Sequence, residues 1–355
     1  MVYDIDSDRY NYHHNSKMPR LRRIFLSPSR FLLTVATISA FGFYLYTSNL
    51  TANSRFVDNG VLDRRLEKFV ADDNTGDSMD FKPETGLPLD LNYTRNISKL
   101  IFNRVGKCGS RSMVHTIDIL ARKNNFPNMK SQVFTQKRLN EQEQAEFVAE
   151  VDVLDPPYIY NRHIDYVDFS RFGSEQPYGI NLIRDPLDRT ISFYYYTRFG
   201  DATYQREAGA TMKDLNQTFD ECVLFDKEEC STNNTFRIIP YFCGQDDMCR
   251  VPSRWALETA IRHVVKDYVF VGILEDFENT LRILEIIMPQ FFGGASEAYS
   301  TIVTKGDVQS FKSVSRKEPA EVATTIMKQR MAYEYEFYDF VKRRMELIKK
   351  QLHLT

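Results

Sequence analysis

A chain of 355 residues has room for one large domain beside a membrane anchor, and a second large domain is not expected. Its 46 lysines and arginines against 48 aspartates and glutamates leave a formal charge of −2, which argues against a surface coated in positive charge and so disfavours general nucleic-acid binding. Any polyanion must then be held in a local basic cleft.

The first feature along the chain is the stretch Phe31–Ser54, which carries no charged residue and opens with FLLTVATISAFGFYLY, apolar enough to enter a bilayer as a helix. Lys17, Arg20, Arg22, Arg23 and Arg30 precede it and only Arg55 follows closely. The positive-inside rule therefore puts residues 1–30 in the cytosol, a signal anchor at 31–50 and the remainder in the lumen. A cleaved signal peptide is the competing reading, but the long polar lead and the lack of a clean small-x-small site favour retention. A short span suits the thinner early-secretory membranes. From 51 to 96 the sequence is polar and broken by Gly and Pro, as in DDNTGDSMDFKPETGLPLD, and reads as a stem with one possible short helix, VLDRRLEKFV. Asn92, Asn96, Asn216 and Asn233 all stand in N-x-S/T triplets, the acceptors expected of a lumenal chain.

The region from 97 to 355 alternates strands and helices. LIFNRV reads as a strand, and SRSMVHTIDILARK, after Gly106, as a helix. Between them Arg104-Val-Gly-Lys-Cys-Gly-Ser-Arg-Ser112 combines glycines that let backbone approach an anion, a helix N-terminus and the mobile charge of Lys107. The loop is an anion cradle of Arg104, Lys107, Cys108, Gly109, Ser110, Arg111 and Ser112. It is not a Walker A loop, because Lys107 precedes Cys108 and Gly109 instead of following the second glycine.

Further on, YIYN is followed by His163 at an expected strand-to-loop junction, where an imidazole suits proton abstraction. His115 and His263 fall within predicted helices and His353 in the tail, places that favour packing or solvation. A second strand-loop-helix unit begins at Tyr178, with Asp185 as N-cap and Pro186 at the first helical position. Within it, Arg184 at the strand end and Ser192 about two turns into the helix could meet one phosphate. Arg104, Arg162, Arg171 and Arg198 lie near these segments and could pair with acceptor carboxylates or sulfates.

Of the five cysteines, Cys222 and Cys230 are near each other, as are Cys243 and Cys249, which leaves Cys108 alone. Two local disulfides are the preferred reading in an oxidising lumen, and a zinc site is the alternative. Neither spacing is C-x2-C and no histidine sits nearby, so no metal is expected. Next come a helix from Pro252 to Lys266, a strand from Tyr268 to Leu274, a helix from Asp276 to Met288, a basic stretch from Lys312 to Pro319 and a long final helix to about Lys350. The alternation argues for an α/β domain with a largely parallel sheet.

Taken together, NRVGKCGSRS, RDPLDRTISFYYYTRFGD, FDEC, YFCG and SRWA resemble the uronyl and heparan sulfate 2-O-sulfotransferase family, over roughly Lys99 to Phe340. The loop looks closest to the uronyl branch and to insect Pipe-type proteins. The resemblance implies a P-loop-like sulfotransferase fold, a central mostly parallel sheet flanked by helices, which follows the one transmembrane helix read at 31–50. It implies 3′-phosphoadenylyl sulfate (PAPS) as donor, with Lys107 and its loop on the 5′-phosphosulfate and Arg184 with Ser192 on the 3′-phosphate. It implies the two disulfides, His163 in H-x-x-x-x-x-F as catalytic base, sulfation at the 2-hydroxyl of a uronic acid in a glycosaminoglycan or related glycan, Golgi residence and a homo-oligomer, a trimer in relatives. Two positions depart from the heparan-type pattern. Asn161 stands where a second histidine would be, and ATYQREAGATMKDLNQ is far less basic than the cluster it replaces, which weighs against heparan sulfate as acceptor. A type II glycosyltransferase would share the topology, but D-x-D occurs only at Asp4, Asp6 and Asp8. A non-catalytic glycan-binding protein of the same fold is the remaining alternative.

Overall fold

The computed structural model describes residues 91–133, 136–201, 215–306 and 312–354. The anchor expected at 31–50, the cytosolic residues before it and the possible stem helix all lie outside them. Among the described residues no helix is long and apolar enough to cross a membrane.

Short apolar runs become strands β1 (Lys99–Asn103), β2 (Asn128–Lys130), β3 (Tyr158–Arg162), β4 (Tyr178–Ile183) and β5 (Tyr268–Ile273). They form one sheet in the order β2-β3-β1-β4-β5, and every pairing is parallel. A parallel sheet needs cover on both faces, which is why its strands are continuously apolar rather than alternating. Leu100, Phe102, Ile159, Ile180, Leu182 and Phe270 are each no more than 1% exposed.

The cover comes from helices α1 (Leu91–Asn96), α2 (Ser110–Lys123), α3 (Glu141–Asp152), α4 (Pro186–Phe199), α5 (Phe219–Leu224), α6 (Arg254–Asp267), α7 (Phe277–Ile287), α8 (Ala295–Thr304), α9 (Glu321–Arg330) and α10 (Ala332–Gln351). Helix α2 spans the segment read as helical, and α4 begins as expected, with Asp185 accepting from Asp188 N and Pro186 at its first position. Helix α3 and strand β2 escaped the sequence reading. The signal for α3 was present, since Asn140 and Glu143 form a capping box. The expected long terminal helix is two helices, broken at Met331. Met331 and Met327 pack with Leu187, Ile191 and Phe219, whereas α10 turns to lie along β5 and α6, so each half follows a different neighbour.

Both expected disulfides are present, Cys222–Cys230 and Cys243–Cys249, and Cys108 is a buried free thiol. The last residues assigned to the stem form α1, which is tied down by Gln290 Nε2 donating to Thr94 O and Ile97 O. Asn96, Asn216 and Asn233 are exposed.

The connections decide where a ligand can sit. From β1 the chain turns to β2 and β3 on one side, then crosses to β4 and β5 on the other. The loops leaving β1 and β4 therefore part, and a crevice opens beyond their carboxyl ends, the usual ligand position in open α/β sheets.

Candidate active site

Three adjacent strands end side by side, β3, β1 and β4, and the residues that follow them are His163, Arg104 and Arg184. Buried amides lock these strand ends together. Asn103 donates to Tyr241 O at 2.8 Å and accepts at Oδ1 from Asn181 Nδ2 at 2.8 Å and from the Tyr268 hydroxyl at 2.9 Å. All three links bridge separate elements, so each is a geometric restraint as well as a satisfied polar group.

In the loop after β1, Lys107 has φ 64 and Gly109 φ 75, a double left-handed turn that brings the chain onto the start of α2. Gly109 is the N-cap and no side chain caps the helix, so its first N–H groups are left for an anion. The positive φ favours glycine at 109, and an added Cβ would stand 2.5 Å from Leu274 Cδ1, which would have to shift. Ser110 and Ser112 are buried in the first turn, Cys108 lies wholly inside with its thiol pushed up to about 12 by burial, and Arg111 pairs with buried Asp201.

Lys107 Nζ lies 3.8 Å from the centroid of the Tyr196 ring. Burial, then Arg111, lower its pKa to about 7, and Arg184 and Arg189 act in the same direction. A bound anion would reverse that shift by favouring the ammonium. Arg189, only 3% exposed, donates from Nε to Gly106 O at 3.2 Å and so holds the loop's backbone. The sequence pointed to Arg184 and Ser192 in this segment but not to Arg189 or Tyr196. Their spacing from Ser192 on one helical face was the available signal.

On the second motif, Arg184 Nη2 donates to Asp188 at 2.8 Å, and Asp188 also accepts from Arg316 at 3.0 Å. Ser192 Oγ lies 3.1 Å from Ser313 Oγ, and Ser313 donates to Ser192 O at 2.8 Å. The basic stretch after 312 is thus seated on α4 beside Arg184, which local sequence could not have shown. Around this crevice the buried Nε of Arg104, Nη1 of Arg189 and Nε of Arg316 have no hydrogen-bond partner among the described residues. Buried donors of one sign without acceptors fit an anionic ligand.

His163 is partly buried, with Nδ1 2.8 Å from Arg104 O. A carbonyl only accepts, so Nδ1 carries the hydrogen and Nε2 of the neutral ring is a lone pair. Burial, then Arg104, lower the pKa of His163 to about 3. Burial likewise lowers Arg104 to about 10, so it stays a cation.

The other sequence-named residues are distributed differently. Arg162 lies over Phe147 of α3 and donates to Gln136 O at 3.3 Å. Arg171 is exposed, with Glu141 of α3 4.0 Å away. Arg198 is buried, stacked 3.5 Å from the Tyr194 centroid and paired with Glu229. Asn161 donates to Asn128 Oδ1 and Met129 O on the edge strand. Among the other histidines, His263 stacks on Tyr166 with centroids 4.0 Å apart, and His115 and His353 are exposed. Among the described residues no cluster of His, Cys, Asp or Glu could hold a metal ion.

Comparison with known proteins points the same way. A family profile described as "Sulfotransferase family" matches residues 93–341. The chain is 38% identical over 262 residues to uronyl 2-sulfotransferase of Homo sapiens, an alignment covering 72% of this chain and 64% of that protein, and the Mus musculus protein matches equally. It is 34% identical over 259 residues to heparan sulfate 2-O-sulfotransferase 1 of Gallus gallus, covering 70% of this chain and 71% of that one. The match thus spans less than two thirds of the uronyl relatives' length.

Proposed function

The chain belongs to the sulfotransferase family, and from that premise we propose that it transfers a sulfuryl group from PAPS to the 2-hydroxyl of a uronic acid in a glycosaminoglycan or related glycan. The observation that carries this reading is the side-by-side ending of β3, β1 and β4 in His163, Arg104 and Arg184, a base flanking two adjacent cationic groups.

Lys107, Arg104 and the open N-terminus of α2 would hold the 5′-phosphosulfate, and Arg184, Ser192 and Arg316 the 3′-phosphate. The donor supplies a sulfuryl group on a phosphate leaving group. His163 Nε2 takes the proton of the acceptor hydroxyl as its oxygen attacks sulfur. A new S–O bond forms, the S–O bond to phosphate breaks, and Lys107 stabilises the charge that arrives on the departing oxygen. A base with a pKa of about 3 is weak, but an adjacent uronate and the anionic donor would raise it in the ternary complex. The acceptor's own charge thus strengthens the base that deprotonates it.

Location belongs to the same proposal. The apolar stretch at 31–50 and the basic residues before it support a single-pass Golgi membrane protein with the catalytic domain lumenal, and the disulfides are at home in that compartment. Glycosylation at Asn92, Asn96, Asn216 and Asn233 and a homo-oligomer go with it.

The test is to incubate the purified protein with labelled PAPS and defined chondroitin, dermatan and heparan acceptors, then map the product. Sulfate at uronic-acid C2 is expected, on chondroitin or dermatan before heparan. Binding of adenosine 3′,5′-bisphosphate without transfer to any uronic-acid chain would sink the proposal.

A further inference from the structure

The face that α4 turns to the donor loop carries Arg189, Ser192 and Tyr196 at helical spacing. Arg189 reaches the loop backbone at Gly106 O, and Ser192 meets Ser313. Tyr196 instead lies against the Lys107 ammonium, and the ring is itself buried, with 8% of its surface exposed. We propose that Tyr196 is a positioning residue for sulfuryl transfer, its aromatic face being the rest that holds the Lys107 ammonium at the donor loop. This proposal rests on the sulfotransfer reading above.

The surroundings of Lys107 explain why such a rest is needed. Arg111 faces it from α2, Arg184 from the end of β4 and Arg189 from α4, all of like charge. Asp201, just past α4, is the negative group acting on it, and Arg111 already holds that carboxylate in an ion pair. Burial and three guanidiniums therefore work to discharge or expel the ammonium. The negative face of an aromatic ring opposes them. It also does so without a formal charge. A second carboxylate in its place would repel the anionic donor and hold Lys107 in a salt bridge that the donor must break, whereas a ring does neither.

Removing the ring acts in a definite direction. A cation–ring contact favours the protonated lysine, so its loss lowers the Lys107 pKa below the value of about 7 set by the present surroundings. Only the protonated form can neutralise the leaving phosphate. Without the ring, activity should fail at lower pH.

The experiment compares the full chain in detergent with Tyr196→Phe, which keeps the ring face, and with Tyr196→Leu and Tyr196→Met, which remove it in two shapes. Trace acetylation of Lys107 by acetic anhydride across pH, read by mass spectrometry, follows its protonation without turnover. The titration midpoint should fall by about one pH unit in the Leu and Met variants and stay at the wild-type position in Phe. In parallel, the alkaline limb of kcat for sulfate transfer from PAPS should move down by a similar amount in Leu and Met alone. Unchanged Lys107 titration in whichever of these two folds overturns the proposal, as does a Phe variant that behaves like Leu. Wild-type protein that titrates as expected yet transfers no sulfate supports the contact and sinks the sulfotransfer reading instead.

Discussion

His163 gives its Nδ1 hydrogen to Arg104 O, and burial keeps the ring neutral, so its Nε2 lone pair is unprotonated throughout the physiological pH range. Replacing it with alanine should lower transfer by about 10² to 10⁴ while adenosine 3′,5′-bisphosphate still binds. Near-normal turnover would remove His163 from the chemistry. Because its pKa is lowered to about 3, kcat/KM of the wild type should not fall as pH drops through 6.5, where an ordinary histidine would protonate. Gly109 makes the complementary case for backbone. Its φ of 75 strains any side chain there, and an added Cβ 2.5 Å from Leu274 Cδ1 would force that side chain to move. Gly109→Ala should lose about 1–3 kcal/mol of stability and weaken donor binding, read by chemical denaturation and by titration of adenosine 3′,5′-bisphosphate.

At the scale of elements, α10 does more than close the fold. Glu334, 1% exposed on its first turn, accepts from Ile238 N and Ile239 N at 3.0 Å and so caps the short helix Ile239–Cys243. That helix supplies Tyr241 O, the acceptor for Asn103 at the end of β1. Burial raises the Glu334 pKa from 4.5 to about 7 against the pull of those N–H groups. A raised carboxyl stabilises the fold below its unfolded pKa, and that contribution is lost as pH rises from about 4.5 through 7. Glu334→Gln cannot titrate. The stability difference between wild type and variant should therefore change across pH 4.5 to 7 in the variant's favour, and a constant difference in denaturant melts would refute the linkage. Element boundaries were legible where local signals set them, as at Asp185-Pro186 for α4. The break at Met331 was not, because both halves carry an apolar face and only their different neighbours separate them.

For the whole molecule, the near-neutral charge hides a strongly polarised arrangement. Arg104, Lys107, Arg111, Arg184, Arg189 and Arg316 gather around one crevice, although the chain carries a formal charge of −2. The disulfide Cys222–Cys230 lies beside the Arg198–Glu229 pair that anchors the end of α4. Replacing both of these cysteines with serine should lower stability by about 2–3 kcal/mol, by the loop-closure entropy of a short ring, measured as a shift in denaturation midpoint. An unchanged midpoint would mean that the cross-link adds nothing to the packing around it.

Features closed within a few residues were set by the amino-acid sequence alone. They include the glycine-bearing loop before α2, the cap of α4, the two cysteine pairs and the position of His163 just past a strand, since each depends on neighbours a turn or a loop away. Tertiary structure decided what meets what. Only the strand order puts β4 beside β1 so that two loops carrying basic residues share a crevice, seats Ser313 and Arg316 against α4, carries Arg162 and Arg198 into packed neighbourhoods, and brings the Tyr196 ring to Lys107. Those contacts join residues tens to more than a hundred positions apart. Chain connectivity leaves such pairings open, and they are settled by burying both faces of a parallel sheet at once.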